Sequence, residues 1–530
     1  MNAFRKISHI AASPMLGATI LALLLAAGIG LRVWHIGITP MWLDEGYSAY
    51  AAGKGWHFLW TVVPRYETHP PFYYSLLHVW TFFAGDGLIA YRSLGLACGI
   101  ATIPVAALAA RAAALLAGQD ARRADVVGGA AFVLAALSPM LIMMAREVRP
   151  YPVMILVYAL GILAVCTVAR RRAAGLPVRG RAFAFYLLAV ATMLWLHTLG
   201  PLFGLALVLA LAMLIVGRGL DLRDWLALAV GHIAVAIVYL PALAIMVDQA
   251  PTWITSTWLK FDTHDLWRRV TVVHAGPRDD MRIAAAILAI GGFVVLARSA
   301  IGRRLAAALL ILAFLPVLVS LAISATISPV FIIRTMTPLA IPAIILLAIG
   351  LGGSRGLWRC ALIAALIWLS LSQAASDVRT RRAGPTQDWY RAIHWMQAKF
   401  RPGDVVFAYP NEGALPFDRA TRDLGVHMPS VPIPGPVPTL NPPPGSWYVS
   451  GSRGVPSLDA AHLHAIAIDP KTRAIPTIWL LRLGPWAYDK GDLFLDELFE
   501  GRTEVGNYDD GPIDIVGLRR DDLMGTAKQP

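Results

Sequence analysis

Runs of about twenty apolar residues recur through most of this chain, and they limit its fold more than any other feature. A helix of roughly that length crosses a bilayer core of about 30 Å. Lipid offers no water to backbone polar groups, so each long run must satisfy its own amides by folding as a helix. Spans are expected at 12–33, 87–110, 126–146, 151–169, 182–199, 201–217, 225–246, 281–298, 305–324, 334–353 and 359–375. The composition agrees. Of 530 residues, 57% are hydrophobic and only 15% are charged, whereas soluble domains carry about 25% charged residues. The expected fold class is an all-α polytopic membrane bundle of about eleven spans.

The net charge of +13 does not indicate a nucleic-acid partner, because the arginines fall in short connections between spans. Arg5 and Lys6; Arg111, Arg122 and Arg123; Arg170, Arg171, Arg172, Arg179 and Arg181; Arg218 and Arg223; Arg298, Arg303 and Arg304; and Arg355 and Arg359 mark alternate connections. This is the positive-inside pattern. It predicts a multi-pass protein of the plasma (inner) membrane with a cytoplasmic N-terminus, an uncleaved signal anchor and an extracytoplasmic C-terminal region. Residues 70–84 are apolar but short, open with two prolines and are rich in aromatics, which suits an interfacial helix and preserves the alternation. The longer outer connections are 34–86 and 247–280. The second interleaves Trp253, Trp258 and Trp267 with Lys260, Arg268 and Arg269, a mixture suited to lipid headgroups. Cys98, Cys166 and Cys360 all fall in apolar segments, so no disulfide framework or metal knuckle is expected.

Beyond about residue 376, charge, glycine and proline increase and no further span is available. Asp388–Phe400 has the pattern of an amphipathic helix. Residues 404–409, 477–484 and 513–518 have the pattern of strands. The proline-rich segment 431–445 is suited only to a loop. Residues 1–375 are thus expected as the transmembrane domain and 376–530 as a small extracytoplasmic α/β domain.

The few charged or polar groups at span edges form the candidate site. Asp44 and Glu45 follow the first apolar run. His69 precedes Pro70-Pro71, Arg92 opens the next run, and Glu147, Arg149 and Tyr151 lie together at a later edge. Arg334 and His197 occupy similar positions. Carboxylates, a histidine and arginines at a membrane surface suit chemistry on a lipid-linked phosphate sugar. The phosphate is already a good leaving group, so transfer to a hydroxyl needs a base and cations to hold the developing charge. Asp44 or Glu45 can be the base. Arg92 and Arg149 can be the cations, because a guanidinium matches two phosphate oxygens at once. One in-line displacement inverts the anomeric carbon.

Trp42-Leu43-Asp44-Glu45, His69-Pro70-Pro71-Phe72-Tyr73-Tyr74, Ala90-Tyr91-Arg92-Ser93-Leu94-Gly95, Ser138-Pro139 and Glu147-Val148-Arg149-Pro150-Tyr151 together resemble the GT-C membrane glycosyltransferases. The similarity is to the superfamily of protein O-mannosyltransferases, aminoarabinose transferases and galacturonosyltransferase-like proteins. It spans roughly residues 10–375 and is densest early in the chain. The resemblance implies that Asp44 matches the catalytic acidic residue of the first outer loop, with Glu45 its partner. It implies Arg92 on the donor phosphate and Glu147, Arg149 and Tyr151 near the donor. His69 and Arg334, from their positions at span edges, are further substrate-binding candidates. The resemblance also implies a polyprenyl-monophosphate sugar donor, an envelope glycan, lipid or protein acceptor, membrane lipid around the enzyme and no nucleic acid. No cofactor is expected; a divalent metal has oxygen and nitrogen ligands available in Asp44, Glu45, His69 and Glu147, but no metal-binding spacing supports it. The competing reading is a polytopic transporter or lipid flippase. That class keeps its polar site near the midplane, often within repeated halves, and the candidates here lie at span edges.

Overall fold

The structure, a computed structural model, describes residues 14–257, 259–441, 443–448 and 455–524. Arg5, Lys6 and Trp258, which figure in the expected topology, lie outside the described residues. By contacts the chain divides into two units. The first comprises Met1–Ile36, Arg92–Leu243 and Lys260–Arg382; the second comprises Gly37–Tyr91, Ala244–Leu259 and Ala383–Pro530.

The first unit is helical. Among the described residues, seven helical segments are long and apolar enough to cross a membrane: Leu88–Leu116, Tyr151–Ala173, Leu222–Thr255, Asp279–Ala297, Ala300–Thr326, Ile333–Gly353 and Gly356–Arg382. Three of the remaining expected spans are shorter apolar helices, Thr19–Val33, Arg181–Leu196 and Gly200–Ile215. The two 16-residue helices among them rise only about 24 Å. The last, expected at 126–146, is divided into Ala121–Leu137 and Pro139–Met144. The helix that begins at Leu222 continues to Ser256, well past the exit expected near 246. Asp248 and Gln249 lie just beyond that expected exit. Gln249 Nε2 donates to the Asp248 carboxylate at 2.7 Å and to the carbonyl of Pro64 at 3.3 Å, and the helix continues.

The break after Leu137 has a chemical cause. Pro139 has no amide to donate and disfavours a helical residue before it, and Ser138 is extended. Buried Arg32 closes the open end: Nη1 donates to the carbonyl of Ala136 at 2.8 Å and Nη2 to that of Ala135 at 3.0 Å. Deeper in the unit, helix Ala340–Gly353 is buried along nearly its whole length. It meets helix Asp279–Ala297 backbone to backbone. A β-carbon on Gly292 would lie 2.3 Å from the carbonyl oxygen of Leu346, and one on Gly350 would lie 2.6 Å from the carbonyl carbon of Gly291. Small residues permit this close approach in the absence of a hydrophobic drive between helices in lipid. Cys98, Cys166 and Cys360 are free thiols.

The second unit joins Gly37–Tyr91 and Ala244–Leu259 to the C-terminal α/β region. Its early part holds helices Leu43–Gly53 and Phe72–Ala84. The latter has 13 residues and a rise of about 20 Å, too short for a span. Its late part is a five-stranded mixed sheet. β1 (Val405–Tyr409), β2 (Ser430–Pro432), β3 (Trp447–Tyr448), β4 (Pro456–Ser457), β5 (Thr477–Leu483), β6 (Arg502–Asp510) and β7 (Ile513–Arg520) follow in chain order. The sheet order is β2-β1-β5-β7-β6, while β3 and β4 form a separate pair. β1 runs parallel to β2 and β5; β7 runs antiparallel to β5 and β6. Every residue of β5 is buried, because both faces of the sheet are covered. One face packs Trp479, Leu481 and Ile515 with Trp389 and Phe417; the other packs Ile478, Leu480 and Val516 with Phe494 and Leu463. The expected amphipathic helix is present as Trp389–Gln397, and the Asp388 side chain accepts the Arg391 amide at its start. The proline-rich segment contributes only its first residues to an edge strand, the place a sheet tolerates proline.

Candidate active site

The acid pair does not lie in an open loop. Asp44 and Glu45 fill the first turn of helix Leu43–Gly53 and are 6% and 1% exposed. Acidic side chains suit this position, where the helix dipole presents partial positive charge. Three tyrosines support the same helix. The Tyr47 hydroxyl donates to the Tyr66 hydroxyl at 2.8 Å, and the Tyr47 ring meets that of Tyr74 edge-on with centroids 5.6 Å apart. Burial, and then the proximity of the other phenol and of Glu67, pushes the Tyr47 pKa well above its ordinary value. Burial also pushes Tyr66 up. Both phenols therefore stay protonated and can serve as hydrogen-bond donors.

His69 lies in the turn between this cluster and helix Phe72–Ala84, half-buried. Its backbone amide donates to Glu67 Oε1 at 3.2 Å, and the Thr68 hydroxyl donates to the same oxygen at 3.4 Å. Glu67 is 3% exposed and was not among the residues expected from sequence. Its position two residues before His69-Pro70-Pro71 was the available signal. In the second unit, Asp44, Glu45, Glu67 and His69 thus lie on a helix and a turn that the tyrosine contacts tie together.

The first unit gathers the other candidates. Arg92 is 4% exposed and its Nη1 donates to the carbonyl of Ile36 at 2.8 Å. One turn along the same helix, a β-carbon on Gly95 would lie 2.9 Å from the carbonyl of Glu147. The missing side chain lets the helix of Arg92 abut the turn that carries Glu147 and Arg149. Arg149 is 2% exposed, and its guanidinium carbon lies 5.7 Å from the centroid of the Tyr151 ring. Such a contact holds the cation by the ring quadrupole.

Tyr151 in turn faces His197, with ring centroids 5.9 Å apart. His197 Nδ1 accepts the Leu199 amide at 3.0 Å. A neutral His197 ring therefore carries its proton on Nε2. Arg334 lies in the first turn of a short 3-10 segment, Ile333–Leu339, that packs on helix Tyr151–Ala173. Arg92, Glu147, Arg149, Tyr151, His197 and Arg334 thus belong to one group of neighbouring elements. Among the described residues, no group of three or more His, Cys, Asp or Glu side chains is placed to hold a metal ion.

No family model matches this chain, and no curated protein sequence matches it. Solved structures do. ArnT from Cupriavidus metallidurans in the apo state superposes over 95% of this chain and 98% of its own, with TM-score 0.58 and 14% sequence identity. The same protein bound to undecaprenyl phosphate superposes over 94% of this chain and 98% of its own, with TM-score 0.58 and 15% identity. The archaeal oligosaccharyltransferase AglB from Archaeoglobus fulgidus, in complex with an inhibitory peptide and a dolichol-phosphate, reaches TM-score 0.49 at 13% identity, over 97% of this chain and 75% of its own. The GT-C architecture implied by the motifs is the fold of this chain.

Proposed function

We propose that this chain is an inverting membrane glycosyltransferase that moves a sugar from a polyprenyl monophosphate to a cell-envelope acceptor on the extracytoplasmic face. The observation that carries the reading is the end-to-end match to ArnT in a chain whose buried acid pair opens helix Leu43–Gly53. The likeness to ArnT bound to undecaprenyl phosphate supports a polyprenyl phosphate as the lipid carrier. The alternation of basic connections supports a cytoplasmic N-terminus and an extracytoplasmic C-terminal region.

In this reading Asp44 accepts the proton of the acceptor hydroxyl as its oxygen attacks the anomeric carbon, and Glu45 assists it. The bond from that carbon to the phosphate oxygen breaks, and its electron pair stays on the phosphate. Arg92 and Arg149 hold the negative charge that develops there. Tyr151 keeps the Arg149 guanidinium in plane for two-point contact with phosphate. His69, Glu147 and Arg334 contribute further contacts to substrate. Attack opposite the leaving phosphate inverts the anomeric centre. A divalent metal would supply the same charge neutralisation, so turnover before and after chelation distinguishes arginine from metal.

The test is Asp44→Asn in the purified protein. It removes the base while keeping the shape, so transfer should fall by about 10²-fold or more with the thermal unfolding profile unchanged. Undiminished transfer would remove Asp44 from the mechanism. Movement of labelled lipid across liposomes without any sugar transfer would instead make the chain a transporter.

A further inference from the structure

The helix that carries the acid pair lacks a cap of its own. Trp42 occupies the position before it, and an indole has no oxygen to accept an amide. The first amides of a helix have no partner within it. Here the Leu43 amide donates to the side-chain oxygen of Gln387 at 2.9 Å. The cap comes from the last segment of the same unit, just before the helix Trp389–Gln397.

Two further contacts lie on the same face of the acid helix. Positions 43, 46 and 50 share one side at helical spacing. A β-carbon on Gly46 would lie 3.1 Å from the nitrogen of Pro416, so the helix backbone rests directly on the C-terminal region. The Tyr50 hydroxyl donates to the carbonyl of Val437 at 2.6 Å. Leu43 packs against the core on one side of the sheet. One face of the helix is thus held at its first turn, its middle and its last turn, while Asp44 and Glu45 sit immediately beside the capped residue.

We infer that Gln387 is a positioning residue for Asp44 and Glu45, acting as a remote helix cap, and that the C-terminal α/β region serves to hold the acid helix in register. The inference rests on the glycosyltransferase reading for its effect on rate, and on the Gln387 contact alone for its effect on the helix. Without the cap the first turn frays more readily, and the two carboxylates are held less firmly in place. A misplacement of about 1 Å costs on the order of 10²-fold in rate.

Wild type, Gln387→Ala and Gln387→Glu are compared as full-length purified proteins. In hydrogen–deuterium exchange, the peptide covering Leu43–Tyr47 should exchange about tenfold faster in Gln387→Ala and at the wild-type rate in Gln387→Glu, whose carboxylate can accept the same amide. Sugar transfer is assayed with polyprenyl-phosphate lipids extracted from the source cells' membranes. Gln387→Ala should lower kcat about ten- to a hundredfold with the donor KM unchanged. Gln387→Glu should recover kcat and move the acid limb of the kcat–pH profile upward, because a new negative charge beside the base disfavours its ionised form. Wild-type exchange at Leu43 in Gln387→Ala overturns the cap, and wild-type kcat in that variant overturns the positioning role. If the wild type itself transfers no sugar, the glycosyltransferase reading fails, and the exchange measurement still decides the cap.

Discussion

Arg32 Nη2 donates to the carbonyl of Ala135 at 3.0 Å, the oxygen that an unbroken helix would have paired with the amide of residue 139, where a proline stands. The guanidinium therefore substitutes for a missing backbone donor inside the helical unit. It also fixes the end of the segment that leads through Pro139–Met144 to Glu147 and Arg149. Replacing Arg32 with methionine keeps much of the apolar length and removes every donor. The expected loss is about 2–4 kcal/mol, since charged hydrogen bonds are worth about 1.5–3 kcal/mol each and the carbonyls would be left buried. Detergent thermal melts measure it; a melt equal to wild type would refute the capping role.

Arg149 is held over Tyr151, an arrangement that suits a planar cation and not a point charge. Arg149→Ala should weaken binding of undecaprenyl phosphate about ten- to a hundredfold, the loss of roughly 1.5–3 kcal/mol for a charge-assisted contact. Arg149→Lys should recover little of it, because lysine cannot contact two oxygens in one plane. Calorimetry or fluorescence titration with that lipid in detergent is the direct measurement. Full recovery by lysine would show that charge alone is used.

Gly292 has no room for a side chain, with the Leu346 carbonyl 2.3 Å from where a β-carbon would be. Gly292→Val should separate helices Asp279–Ala297 and Ala340–Gly353 and cost about 1–3 kcal/mol or more. Gly30, whose β-carbon would meet nothing within 4 Å, provides the control: Gly30→Ala, inside helix Pro14–Val33, should hold or raise the melting temperature.

Tyr409 accepts the Leu458 amide on its hydroxyl at 2.9 Å and is 1% exposed. Burial pushes its pKa up to about 12, so the folded chain keeps a proton that an unfolded one releases near pH 10. This contribution is whole below about pH 10 and declines as pH rises from there through about 12. Tyr409→Phe should lower stability at neutral pH by about 1–3 kcal/mol, because the Leu458 amide loses its acceptor. It should also flatten the alkaline loss relative to wild type. Fluorescence of buried Trp389 and Trp479 during denaturation at graded pH follows both effects.

The apolar runs were legible because a bilayer imposes length and polarity on every span at once. Their ends were less so. The helix Leu222–Ser256 passes Asp248 and Gln249, where the Gln249 amide donates to Asp248 and to the Pro64 carbonyl, a partner far away in sequence. Strand β6, Arg502–Asp510, escaped notice because its sequence Arg-Thr-Glu-Val-Gly-Asn-Tyr-Asp-Asp is polar, as an edge strand can be. Asp44 and Glu45 stood out as an acidic pair next to an apolar run, but their helical first turn did not. That turn depends on Gln387 and on Tyr47, Tyr66 and Tyr74, none of which has a recognisable spacing from the pair. Glu67 was hidden for a similar reason: it matters through its neighbours in space, and it lies outside any apolar pattern.

The remote cap also sets an order of events during synthesis. A ribosome must translate most of the polypeptide before Gln387 exists, and contacts between such distant parts of a chain form late. The helices of the early spans can insert while the Leu43 amide still waits for its acceptor. A nascent chain interrupted before that point carries both acids yet lacks the part that shapes their turn, so completion of the polypeptide is what arms it.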